Sequence, residues 1–124
     1  MKPISSRAHG VLDYLTVALF ALAPTLFGFT GTAATLAYAV AAVHLVMTLM
    51  TAFPMGLAPV VPFRVHGIVE LLVAISLMGI GMFNFGTETT AGLLYLLVGL
   101  VILVVWLLSS YREAPATPMS SNSE

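Results

Sequence analysis

The sequence predicts an all-α membrane protein of four transmembrane helices, folded as two tandem, same-direction helical-hairpin repeats in one bundle. Three observations predict it. The mean hydropathy is +1.07, and 60% of residues are apolar while 7% are charged, against about 25% charged in soluble domains. Four apolar runs each approach the ~20 residues that a helix needs to cross a bilayer. One polar cluster is also written twice: Arg7, His9, Gly10 and Asp13 in "SRAHGVLDYL" return as Arg64, His66, Gly67 and Glu70 in "FRVHGIVELL", at a constant offset of 57 positions.

The runs cover residues 11–29, 33–53, 65–85 and 91–108. Backbone groups in hydrocarbon must be bonded within their own segment, and no alternating polar pattern suggests a barrel, so the runs read as helices. Residues 1–54 form the first hairpin repeat and residues 55–111 the second. The short connections leave no room for a folded domain outside the bundle. The tail "REAPATPMSSNSE", residues 112–124, is polar and rich in Pro and Ser, and is predicted to be disordered on the cytoplasmic side. A cleaved signal peptide is the competing reading of the first run, with Lys2 and Arg7 before it and small Ala21 and Ala23 near its end. Against that reading, Pro24 follows at once, and the run has an internal copy in the third span. With no cysteine in the chain, disulfides, thiolate metal sites and thiol catalysis are excluded.

Four spans place the N-terminus, the central loop and the C-terminus on one side, and those segments hold Lys2, Arg7, Arg64 and Arg112, all four basic residues present. The opposite loops, "GFTGT" and "NFGTETT", offer only Glu88 as a charge. The positive-inside rule therefore predicts that the termini and central loop are cytoplasmic.

The duplication extends past the histidines. Phe27 and Phe29 are answered by Phe83 and Phe85, and Tyr38 by Tyr95. Because each copy holds an even number of spans, the copies point the same way and are expected to be related by a pseudo-twofold axis along the membrane normal. On "RAHGVLDYL" and "MGLAPVVPFRVHGIVELL" the chain resembles the SPW-repeat family of small bacterial membrane proteins, over residues 4 to about 108. The tripeptide that names the family is replaced by Ala23-Pro24-Thr25 in the first repeat and is absent at "GIG" in the second. The resemblance implies a small polytopic protein of the bacterial inner (cytoplasmic) membrane; it implies no activity.

Residues i and i+4 share a helix face, so His9 stands one turn from Asp13 and His66 one turn from Glu70. Ionisable groups inside a span cost about 2.5 to 3.5 kcal/mol at its centre and normally face protein. Arg7, His9, Asp13, Arg64, His66 and Glu70 are therefore expected to form a polar clasp, with Arg7 pairing to Glu70 and Arg64 to Asp13 across the repeats. Gly10 and Gly67 are expected to permit close helix packing beside it. The alternative is a proton-handling or ligand-binding site at the twofold axis. His44 has no copy, since Val101 stands at the matching position; it reads either as a haem or metal ligand or as a buried histidine bonded to a carbonyl. His9 and His66, at one depth, could sandwich a haem.

Tyr38 and Tyr95 are expected at the outer interface. Ala33, Ala37 and Ala41 form a small-residue row suited to close helix approach, within one chain or between two. Pro24 is expected to kink or end the first helix, and "FPMGLAPVVPF" to lie along the cytoplasmic interface. No nucleophile motif, phosphate loop, HExxH motif or basic stripe is present, so neither an enzyme, a metal motif nor nucleic-acid binding is expected. The leading expectation is a non-enzymatic structural or accessory membrane protein, with the lipid bilayer as partner and a homo-oligomer or larger membrane assembly as its setting. The alternatives are haem or lipophilic-ligand binding through His9, His44 and His66, and proton or ion conduction past Asp13 and Glu70.

Overall fold

The computed structural model describes residues 2–84 and 88–111. Its four helices are α1 (Ser6–Phe27), α2 (Gly31–Leu49), α3 (Phe63–Asn84) and α4 (Thr89–Leu108), each long and apolar enough to cross a membrane. Between α2 and α3, β1 (Thr51–Ala52) pairs in parallel with β2 (Val61–Pro62). Phe85 of the repeated aromatic pair, and the tail 112–124 with Arg112, lie outside the described residues.

The helix ends follow from local chemistry. The Ser5 side chain accepts the Ala8 N–H at 3.2 Å, an N-cap that starts α1 five positions before the apolar run. The duplicated cluster therefore lies inside helix, not ahead of it. Pro24 sits in the last turn of α1, and the helix closes on Gly28 at φ 69°, with the Phe29 N–H returning to the Pro24 carbonyl. Only glycine takes that left-handed conformation without strain. At the far end α2 stops at Leu49, short of the expected residue 53. Leu57 and Ala58 donate to the Leu49 carbonyl, and Val60 and Val61 to the Met50 carbonyl, so "FPMGLAPVVPF" is held against the end of α2. Leu57 and Val60 remain exposed at its tip.

Contact is extensive within each hairpin and sparse between hairpins. In the second hairpin, a Cβ on Gly81 would meet backbone atoms of Leu96 and Gly92 at 2.5 and 2.7 Å, and one on Gly99 would meet the Ala74 carbonyl at 2.9 Å. These glycines let α3 and α4 touch backbone to backbone. In the first, Ala33, Ala37 and Ala41 are all buried in the core with Phe20 and Ala23, so the small-residue row is used within the chain.

The repeated tyrosines part company: Tyr38 is half exposed, whereas Tyr95 is buried. Tyr95 stacks on Phe20 with centroids 6.0 Å apart, and its hydroxyl donates to the Ala33 carbonyl. The expected interfacial placement thus fails for Tyr95. It ties the two hairpins together at the end where α2 and α4 begin. At the other end Ile4 donates to the Leu108 carbonyl and accepts from the Ser110 N–H. The rest of the surface carries large apolar side chains such as Leu15, Leu26, Leu72 and Leu97, which suits contact with lipid.

Candidate functional site

The most polar volume of the molecule is buried between the hairpins, near the first turns of α1 and α3. His9 and His66 are 0% exposed, Asp13 and Glu70 2%, and His44 3%. The i, i+4 spacing turns each histidine and its acid to the same side. The packing of the two hairpins brings those sides face to face.

The contacts cross the repeats. His9 Nε2 lies 3.1 Å from Glu70 Oε2, and His66 Nε2 lies 3.3 Å from Asp13 Oδ2. Within the first repeat His9 Nε2 is also 3.3 Å from Asp13 Oδ1. Each of these groups has a second partner on its outer side. Ser109, just after α4, faces His9 Nδ1 at 2.7 Å, and Thr51, just after α2, faces His66 Nδ1 at 2.8 Å. Both hydroxyls spend their one proton on the carbonyl a turn back, Ser109 on Val105 and Thr51 on Met47. They can therefore only accept from the rings, which puts an N–H on Nδ1 of both histidines. Asp13 accepts from His44 Nε2 at 3.4 Å, and Glu70 accepts from the Tyr111 hydroxyl at 2.7 Å. Tyr111 lies beyond the end of α4; burial first, and then the charge of Glu70, push its phenol above the ordinary range, so it stays a donor.

Arg7 and Arg64 are the correction to the expected clasp. Both are exposed, and among the described residues neither is ion-paired to Asp13 or Glu70, whose partners are histidines. The reason is helical geometry: an arginine two positions before a histidine lies on the opposite face. Gly10 and Gly67 also serve differently from expectation. A Cβ on Gly10 would strike Met55 and Phe53 at 2.5 to 2.8 Å, and one on Gly67 would strike Tyr111 at 2.7 Å, so Gly10 admits Met55 and Phe53 of the central loop and Gly67 admits Tyr111, not a neighbouring helix. His44 bonds a carboxylate, not a carbonyl.

Thr51, Ser109 and Tyr111 escaped the sequence reading. Their signal was present, because Thr51 and Phe53 stand to Ser109 and Tyr111 at one common offset, so each repeat carries its own hydroxyl and aromatic ring. A haem between His9 and His66 does not fit. Their centroids are 5.5 Å apart at 76°, and the Asp13 carboxylate occupies the space between the two Nε2 atoms.

Two apolar grooves run along the seam between hairpins. One of about 260 Å³ is lined by Leu12, Leu15, Leu19, Leu97 and Val101, with Asp13 and Glu70 also on its wall. The other, about 200 Å³, reaches His44 between Val40, Val43, Val69 and Val73. Comparison with family models, curated proteins and solved structures finds no match.

Proposed function

We propose that the chain is a small, non-enzymatic multi-pass protein of the bacterial inner membrane, structural or accessory to a larger assembly, of the kind the SPW-repeat resemblance implies. Its tandem hairpins are joined by the buried imidazole and carboxylate cluster. The observation that carries the reading is the exchange of partners: His9 reaches Glu70 of the other repeat and His66 reaches Asp13. Backbone contact between hairpins is sparse, so the cluster is a main tie at that end. Exposed Lys2, Arg7 and Arg64 stand at the same end, which the positive-inside rule makes cytoplasmic.

The native chain has no cysteine, so single substitutions report topology cleanly. Thr32→Cys is expected to react with an impermeant thiol reagent on intact spheroplasts, and Arg64→Cys only after lysis; the reverse pattern would overturn the orientation. For the accessory role, purification in mild detergent is expected to bring down defined membrane partners or further copies of the chain. A strictly solitary monomer would count against it.

The groove between α1 and α4 favours lipophilic-ligand binding as the second reading, because an acyl-like chain lying in it would place a polar head against Asp13 and Glu70. Conduction is less supported. Beyond the cluster the core among the described residues is apolar, with Phe20, Ala74, Leu77 and Val98 in it, and its one hydroxyl, on Tyr95, is spent on the Ala33 carbonyl.

A further inference from the structure

We propose that the cluster is a binding site for one divalent transition-metal ion of the zinc or ferrous type, with His9 Nε2, His66 Nε2 and one oxygen each from Asp13 and Glu70 as ligands. The inference rests on the cross-repeat cluster described above and gives it a chemical purpose.

Ligand type comes first. Imidazole with carboxylate and no thiolate suits borderline first-row divalent ions, whereas magnesium and calcium prefer shells of oxygen. The four ligand atoms all lie within 4.8 Å of one another. The close pairs are 3.1 to 3.3 Å apart. Zinc bonds of roughly 2.0 to 2.1 Å set tetrahedral ligand edges of about 3.4 Å; the close pairs, which reach both oxygens of Asp13, already stand near that edge, and the wider pairs need only draw in around an ion.

The hydrogen-bond pattern points the same way. His9 Nε2, His66 Nε2 and Asp13 Oδ2 are buried side-chain atoms with no hydrogen-bond partner among the described residues, although each has a carboxylate or imidazole atom within 3.3 Å. With N–H fixed on Nδ1 by Ser109 and Thr51, a neutral ring turns a bare nitrogen lone pair toward carboxylate lone pairs. Such an arrangement repels unless a cation lies between. Without metal, an imidazolium can supply that charge as an ion pair at 3.1 to 3.3 Å, but without the alignment of a hydrogen bond; a metal ion satisfies the same lone pairs in full.

The outer partners complete the pattern. Metal-binding histidines donate their second N–H to a neighbouring acceptor, and binding carboxylates are themselves hydrogen-bonded. Here each of the four groups has one such partner: Ser109 for His9, Thr51 for His66, His44 for Asp13 and Tyr111 for Glu70. Charge agrees as well. Two buried carboxylates balance one divalent ion, which leaves a neutral centre in an apolar bundle.

The test is metal binding by the full chain in detergent, stripped with chelator and titrated with cobalt(II) or zinc. One ion per chain is expected, with cobalt giving the ligand-field absorption of a low-symmetry nitrogen and oxygen site, and with no displacement by excess magnesium. Asp13→Asn is expected to lose at least ~100-fold in affinity. Thr51→Val and Ser109→Ala, which remove only outer partners and keep the packing, are expected to lose about 10- to 100-fold each. Arg7→Gln should leave affinity unchanged, with circular dichroism and gel filtration confirming that every variant is folded. A folded, stripped wild-type protein that takes up no stoichiometric metal overturns the proposal, as does uptake unaffected by both Asp13→Asn and Thr51→Val. Coupling between His66 and Asp13 measured in chelator reports the joining role separately, so either reading can fail alone.

Discussion

Asp13→Ala is expected to lower the stability of the protein in detergent by about 3 to 5 kcal/mol, the usual cost of removing one partner from a buried ionic group. Asp13 is the hub of the cluster. Three imidazoles lie within 3.4 Å of its carboxylate, from His9, His44 and His66, and at 2% exposure no water replaces it. The loss is therefore of polar contacts on three helices at once. Arg7→Gln, at an exposed site two positions from the same histidine, should change stability by less than about 0.5 kcal/mol. Reversible unfolding followed by circular dichroism compares the two.

Gly81→Ala is expected to cost about 1 to 3 kcal/mol, as overpacking of a close contact does. The added methyl would lie 2.5 Å from the Leu96 nitrogen and 2.7 Å from the Gly92 carbonyl oxygen. Both are backbone atoms of α4, so no side chain can turn aside and the helices must separate. Gly79, about half a turn away on α3, is the internal control: a methyl there would meet nothing within 4 Å, and Gly79→Ala should stabilise by about 0.4 to 1 kcal/mol through alanine's helix preference. Thermal unfolding in detergent reads both.

The four helices were legible because hydropathy and length are bulk properties of a run, and lipid leaves the backbone no other way to bond itself. The cluster was legible as a repeated pattern, and the face shared by His9 with Asp13, and by His66 with Glu70, followed from helical spacing alone. What the pattern could not carry was which charged residues meet. Electrostatics alone favours arginine with acid, but a side chain two positions away points to the far side, so the histidines took the acids and Arg7 and Arg64 went to the surface. Thr51, Ser109 and Tyr111 were hidden for another reason: they follow the ends of α2 and α4, where chain direction depends on the fold-back of the central loop and on the Ile4 contacts with Leu108 and Ser110. Tyr95 likewise looked interfacial beside Tyr38, and only the stacking on Phe20 drew it inside.

That the repeats are joined by exchanged acids is tested most directly by a pair of double-mutant cycles on His66, run in chelator with unfolding free energy as the readout. His66→Ala is combined in one cycle with Asp13→Asn, its partner in the other repeat at 3.3 Å, and in the second with Glu70→Gln, its neighbour one turn along the same helix. Coupling of about 0.5 to 3 kcal/mol is expected for groups in contact, and it should appear in the first cycle and be clearly smaller in the second. Equal or larger coupling between His66 and Glu70 would contradict the exchange and make the two clusters separate sites.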